Sequence, residues 1–403
     1  MEEYKLRSKL ITSFQKLKSY CEAENFAGWD PYDGLNSKFF QATPLKKWDV
    51  ARLAWIQGFK RSPINLRPLF RVPKTHNNMG LGLFLSGYCN LFKLAEKGNS
   101  EFGTAEEIRE KINELGTLIL KYQSKGYAGS CWGYNFDWQA RRLFLFPAGT
   151  PNVVVTAFCA EALFEAYTIT ENEEFLSAAL SASDFVIKDL NRTDYKDGIL
   201  FSYSPQDGNN TVFNASLLGA KILLKNYEIT KDQSKLDLAK KAIDGAIAGQ
   251  SEDGSWVYGL LPVQSWIDSF HTGFNLNALQ LYYKITKEQY VADSIEKGKQ
   301  FYLANFFLED GTPKYYHDRT YPIDIHCPGQ LLVTLKELNV FLENKVVADS
   351  VLNWTIENMQ DKKGYFYYQL KKGWSSKISY MRWSNAFMFH AITCYFLEQK
   401  NEK

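Results

Sequence analysis

The chain has 403 residues, 45% hydrophobic and 23% charged, a composition that buries a large core and excludes disordered and fibrous classes. Its formal charge of +2 supplies no electrostatic footprint for nucleic acid or an anionic membrane, so neither is expected as a partner. Six widely spaced cysteines without a CxxC, no signal-peptide core and no apolar run near the roughly 18 residues of a membrane span make the expectation a cytoplasmic protein without membrane insertion.

The first segment, Met1–Phe26, alternates charged and apolar residues at helical spacing. It is followed by a Gly, Pro and Asp loop, Gly28–Phe40, whose Asp30 and Asp33 are polar candidates. From there a unit of about 56 residues repeats. YxIT ends an apolar helix at Tyr167, Tyr227 and Tyr283, and a glycine-aromatic turn follows each amphipathic helix at Gly198, Gly254, Gly311 and Gly364. The apolar helices are Asn78–Leu94, Asn152–Tyr167, Asn210–Tyr227, Asp268–Tyr283, Asp324–Leu338 and Arg382–Leu397. The amphipathic ones are Thr104–Gln123, Glu174–Leu190, Ser234–Gln250, Gln289–Asn305 and Lys345–Gln360, with Leu45–Phe59 as the sixth. Helices apolar all round belong inside and one-sided helices outside. The expected fold is therefore all-α, an (α/α)6 toroid of six inner and six outer helices in a single domain spanning 1–403, with residues 1–44 packing on the ring.

Loops entering the inner helices converge at one end of such a ring, where free backbone N–H groups suit an anionic or hydroxyl-rich ligand. Aligning Phe213-Asn214, Phe270-His271 and Ile325-His326 puts Asn214, His271 and His326 at equivalent positions, the two histidines each near an aspartate, Asp268 or Asp324. Neutral imidazole exchanges protons near neutral pH, and a neighbouring carboxylate fixes its tautomer; plain helix capping explains the same aspartates without chemistry. The loop Gly129–Pro151 carries Trp132, Tyr134, Asp137, Trp138, Gln139, Arg141 and Arg142. Flat aromatic faces with interspersed polar groups suit a pyranose, and Trp256, Trp266, Tyr316, Tyr380 and Trp383 extend that chemistry. Structural plugging of the toroid mouth accounts for part of the same set. Arg382, with Arg141 or Arg142, offers a clamp for a carboxylate or phosphate.

Asp324, His326 and Cys327 have ligand chemistry, but DxHC lacks zinc-site spacing, so no metal is expected. Without a P-loop, a dinucleotide fingerprint or a GxSxG elbow, no nucleotide or redox cofactor is expected either.

Gln250–Trp256, QSEDGSW, resembles the QW turn of squalene–hopene cyclases, although their DxDD motif and the CHG element of lanthionine synthetases are absent. The blocks WDPYDGLNS, CWGYNFDWQ with the later TPN, FSYSPQD, WIDSFHTGFN, YPIDIHCPGQ and YMRWSNAFMF resemble the VpsJ-type bacterial polysaccharide biosynthesis proteins. That resemblance implies a toroid and a role in capsule, O-antigen or exopolysaccharide assembly, and assigns no catalytic residue. The resulting expectation is an enzyme acting on a sugar or oligosaccharide, with room for an acidic group. In it, His271 and His326 exchange protons, and Asp137, Asp268 and Asp324 orient or assist them. Trp132, Trp138, Trp256 and Trp383 form a sugar platform, with Arg141, Asn214, Trp266, Tyr316, Tyr380 and Arg382 around it. Paired histidines resemble N-acylglucosamine 2-epimerases, paired carboxylates unsaturated glucuronyl hydrolases, and Tyr with His and Arg toroid polysaccharide lyases. The non-enzymatic alternative is a glycan-binding or scaffold protein.

Overall fold

The computed structural model describes residues 2–139 and 145–399. In chain order the helices are α1 (Glu2–Ala23), a single turn α2 (Lys38–Gln41), α3 (Asp49–Arg61), α4 (Asn78–Glu96), α5 (Ala105–Lys121), α6 (Val153–Thr170), α7 (Glu173–Lys188), α8 (Phe213–Thr230), α9 (Gln233–Ala248), α10 (Ser269–Thr286), α11 (Gln289–Phe306), α12 (His326–Glu337), α13 (Lys345–Met359) and α14 (Phe387–Gln399). Helices α4, α6, α8, α10, α12 and α14 are buried over most of their lengths and form the inner ring; α5, α7, α9, α11 and α13 bury one stripe each and lie outside. The chain has the (α/α)6 toroid fold.

The YxIT marks have a backbone cause. Each inner helix α6, α8 and α10 ends at its threonine, and the next residue, Glu171, Lys231 or Lys287, turns left-handed with φ of 56°, 56° and 59°, its N–H donating to the carbonyl of the YxIT tyrosine. Helix α6 also corrects the expectation that no apolar run nears membrane-spanning length: its 18 residues have a mean hydropathy of 1.4, and 61% of them are buried among its neighbours in the ring. Such apolarity is what an inner helix, covered on all sides, requires.

The sixth outer helix is α1, not the segment 45–59. Its Lys9 donates to Asn353 Oδ1 of α13 at 2.6 Å and pairs with Glu357, and Ser13 donates to Gln360 at 2.7 Å. Phe14 packs at 5.0 Å from Phe389 and 5.7 Å from Phe396 of α14. The last unit is thus α14 with α1, one helix from each end of the chain. Turn glycines mark the same closure. At Gly254 (φ 90°) an added Cβ would sit 2.3 Å from Lys297 O on the next outer helix, and at Gly364 (φ 104°) 2.3 Å from Lys16 O on α1.

Segment 45–59 instead belongs to a cap over one end of the ring. Helix α3 buries Ile56 and Phe59, and Ile56 joins Leu35 and Phe40 in a small separate core. Short hairpins decorate that end: β1 (Trp138–Gln139) with β2 (Leu145–Phe146), β3 (Arg192–Tyr195) with β4 (Gly198–Phe201), and β5 (Ile323–Asp324) beside β6 (Tyr367–Lys371) and β7 (Trp374–Ser379). Antiparallel register places Asp324 opposite Gln369.

Candidate active site

Hydrogen bonds fix the register of the inner helices. The N–H groups of Val153, Phe213, Ser269, Ile325 and Met381 donate to the carbonyls of Tyr203, Tyr258, Tyr315, Tyr368 and Trp29, each in the turn after the partner outer helix. Asn152, Val212, Asp268, Asp324 and Tyr380 are therefore equivalent. Two residues on stand Val154, Asn214, Phe270, His326 and Arg382; three on stand Val155, Ala215, His271, Cys327 and Trp383. The alignment of His271 with His326 shifts by one residue. Helix α10 starts directly after Asp268, whereas α12 starts two residues after Asp324, which belongs to β5. The histidines occupy successive positions on adjacent inner helices, not one shared position.

At the first of these joints Asp268 is fully enclosed and takes three donors. Its Oδ1 accepts the His271 backbone N–H at 3.0 Å, while Oδ2 accepts His271 Nδ1–H at 2.7 Å and Trp266 Nε1–H at 2.9 Å. Donation through Nδ1 leaves the lone pair on Nε2, and the His271 side chain keeps 20% of its surface exposed. Tyr258 stacks on Trp266 at 4.6 Å and lies 4.6 Å from the His271 ring, forming an aromatic wall.

The second joint is closed. Asp324 Oδ1 accepts from the His326 backbone at 3.0 Å and Trp383 Nε1 at 2.9 Å, and Oδ2 accepts from Gln369 Nε2 at 2.6 Å. Burial raises its pKa to about 6, against the lowering effect of these donors. The His326 ring lies 3.7 Å from Phe387, 4.2 Å from Trp383 and 4.9 Å from Phe270. Burial, then the charges of Arg382 and His271, holds its pKa well below the ordinary value, and its Nδ1 has no hydrogen-bond partner. Phe270 also touches His271 at 4.1 Å, so both imidazoles contact one phenyl ring, His271 from the partly exposed side and His326 from the enclosed one.

Two buried ion pairs brace the same end. Arg382 donates from Nε and Nη2 to Asp30 at 2.6 and 2.9 Å, so its fork is committed to the protein instead of facing an outside acid. Its guanidinium lies 5.0 Å from both the Tyr134 and Trp383 rings. Arg67 donates to Asp33 at 2.6 Å, to Tyr380 Oη at 2.9 Å and to the Asp30 carbonyl at 2.6 Å. Tyr380 is thereby a buried brace. Arg382, Trp383 and Asn385 sit in a π-helical turn, Met381–Ala386, opening α14.

The remaining residues divide. Trp138 is half-buried, stacks on Phe146 at 5.1 Å and faces Tyr32 and Tyr203. Tyr316 packs on Tyr315 at 4.4 Å beneath the Arg319 guanidinium. Asn214, buried with Oδ1 unpartnered, occupies the position of His326 on α8. Asp137 accepts from the Ala148 N–H at 2.8 Å and so ties together the chain entering β1 and the chain leaving β2. Trp132 and Trp256 leave the sugar platform: both are buried, their indole N–H groups donating to Ile119 O at 2.7 Å and Ala246 O at 2.9 Å. Each plugs the gap between an outer helix and its turn. Arg141 lies outside the described residues. Cys327 is buried, and among the described residues no three His, Cys, Asp or Glu side chains converge on one point. Sequence reasoning missed Gln369, Arg67 and Phe270. Gln369 follows Tyr368 as Tyr316 follows Tyr315, so the repeat register carries its signal; Arg67 has none.

Phe158 floors the mouth, 5.6 Å from Phe274 and 5.9 Å from Phe387. Below it runs an axial cavity of about 40 Å³ lined by the charged groups Glu161, Glu165, Lys221 and Lys336 and by His390, which burial keeps neutral by lowering its pKa to about 4.

No protein-family model and no curated protein sequence matches the chain. Solved structures do. A GH76 α-mannanase of Bacteroides thetaiotaomicron is 16% identical over 83% of this chain and 90% of its own, with a TM-score of 0.60. A cellobiose 2-epimerase of Bacillus thermoamylovorans is 14% identical over 80% and 88%, also at 0.60. An unsaturated glucuronyl hydrolase specific for heparin is 11% identical over 98% of both chains, at 0.61. At these identities the likeness is one of fold.

Proposed function

We propose that the chain is a sugar-acting enzyme that works by proton transfer without cleaving a glycosidic bond, an epimerase-class reaction. The observation that carries this reading is the Asp268–His271 pair, 2.7 Å apart with Nε2 of the imidazole left as the base. His271 takes a proton from the sugar and Asp268 stabilises the imidazolium that results. The imidazolium of His271 returns the same proton once the deprotonated sugar presents its other face, while His326, enclosed and neutral beside Phe270, shapes the wall. Trp138, Trp266, Tyr258 and Trp383 supply faces for the sugar ring. Carboxylate-pair hydrolysis is less well supported, because Asp30, Asp33, Asp268 and Asp324 all spend oxygens on protein donors.

Similarity to toroids named for mannanase, epimerase and glucuronyl hydrolase activities supports a carbohydrate substrate. The resemblance of its sequence blocks supports a role in bacterial surface-polysaccharide assembly, and its six free, buried cysteines support a cytoplasmic setting. Incubation in deuterated water with a panel of hexoses, N-acylhexosamines and reducing oligosaccharides tests the chemistry. Solvent deuterium at a carbon, without new reducing ends, is the expected result. New reducing ends would establish a hydrolase, an ultraviolet-absorbing double bond a lyase, and binding without turnover a scaffold.

A further inference from the structure

The near-neutral charge of the whole chain conceals an asymmetry. Positions 38–74 hold nine Lys and Arg against one acid, Asp49, a formal charge of +8 that leaves −6 for the rest. This segment is the cap over the mouth. Arg67 is buried on Asp33, Arg52 pairs with Asp49 and Lys74 with Glu24, but Lys38, Lys46, Lys47, Arg61 and Arg71 are exposed and form no ion pair among the described residues.

The same surface is apolar. Phe39, Leu45, Trp48, Val50, Ile64 and Leu69 are 39% to 72% exposed. Helix α3 shows Val50, Ala54, Gly58 and Arg61 to solvent at one-turn spacing, while Ile56 and Phe59 face the small core. The tip of the β6–β7 hairpin joins the patch: Lys371 lies in the field of Lys60 and Arg61, and its ammonium covers the exposed Trp374 at 4.0 Å. Lys60, in turn, donates to Tyr32 Oη at 2.5 Å, and the Tyr32 ring lies 5.6 Å from Trp383 at the mouth.

We infer that this cap is a membrane-docking face that binds a bilayer rich in anionic headgroups. Lysines and arginines neutralise the headgroups while Trp48, Leu69 and their neighbours enter the acyl boundary, the pairing of charge and apolarity by which interfacial segments bind. Nucleic acid suits it less, because Leu45, Val50, Ile64 and Leu69 have no face on which a base stacks. A second copy of the chain would bring +8 against +8 in a two-fold contact. The orientation aims the mouth at the bilayer, and the inference stands apart from whichever reaction the mouth performs.

Co-sedimentation of the full chain with phosphatidylcholine vesicles, with and without phosphatidylglycerol, tests it. Binding is expected only with the anionic lipid and falls steeply with salt. Lys46→Glu with Lys47→Glu weakens it at least about twenty-fivefold, at about fivefold per lysine charge removed, and Trp48→Ser with Leu69→Ser about tenfold. Unchanged circular dichroism and melting temperature show that these surface variants fold. A measurement free of variants is slowed hydrogen exchange across residues 45–71 on vesicles. Equal binding to neutral vesicles, no binding at low salt, or indifference to both double variants overturns the inference. Tighter binding of polyuridylate through the same lysines, or dimerisation lost in Trp48→Ser, likewise overturns it.

Discussion

The Asp268 and Asp324 joints start neighbouring inner helices, and each holds a histidine against an enclosed carboxylate, yet their environments diverge. His271 stands three residues from its aspartate, so ring and carboxylate meet at 2.7 Å and Nε2 stays open to the mouth. His326 stands two residues on, 3.8 Å from its aspartate, walled in by Phe270, Trp383 and Phe387. One residue of register converts a supported base into a neutral, desolvated ring. What a repeat position does is decided by the helix start and the packing around it, and the residue type alone is not enough.

Five substitutions test this contrast. The largest effect is expected from His271→Ala, which should lower turnover by about a thousandfold or more, while the loss of a donor to buried Asp268 costs about 1–3 kcal/mol of stability that denaturant unfolding would measure separately. Normal turnover in that variant would remove His271 from the chemistry. His326→Phe should keep the packing and leave turnover within about tenfold of the wild type; a complete loss of turnover would make the closed joint part of the chemistry. Next is the third joint, where Asp30→Ala leaves Arg382 buried without its partner. A loss of about 3–5 kcal/mol is expected in denaturant unfolding, and a loss under about 1 kcal/mol would mean that the pair behaves as a surface pair.

A smaller effect belongs to pH. Because the folded-state pKa of Asp324 is raised, the native chain binds its proton more tightly than the unfolded chain does, and stability is lost as pH rises from the ordinary value of 3.8 through about 6. Asp324→Asn removes that slope. Measured against the variant, the wild type should lose about 1–3 kcal/mol across the window; parallel curves would show that the carboxyl ionises normally. The smallest change is Trp266→Phe, which takes one of three donors from Asp268. Turnover should fall about three- to tenfold, with stacking on Tyr258 retained.

The fold was legible because its marks are local. YxIT places a threonine before a left-handed residue, and each turn glycine lies where a Cβ would strike the next outer helix, so both recur wherever the unit recurs. The Asp268–His271 pair was legible for the same reason, as an N-cap with a side chain one turn on. Residue 382 and its partner are 352 positions apart, and nothing local announced that Asp30 would occupy the fork of Arg382. Trp132 and Trp256 misled because an indole in a glycine-rich turn reads alike whether it points into a core or a cleft. The exposed basic cap escaped notice because acids elsewhere cancel it in the total.

The clasp between α1 and α14 has a consequence in time. Helix α1 leaves the ribosome long before α14, yet Phe389 and Phe396 of α14 form part of its seat. Until then α1 has only its early contacts, such as Phe14 on Phe102 at 5.0 Å and Glu22 on Tyr88, the flank of α4 that meets α14 is uncovered, and the growing chain is an open arc. Moving the chain break should move that waiting period: a circular permutant joined from α14 to α1 and opened in an exposed loop between units would fold the clasp early and leave another seam for last.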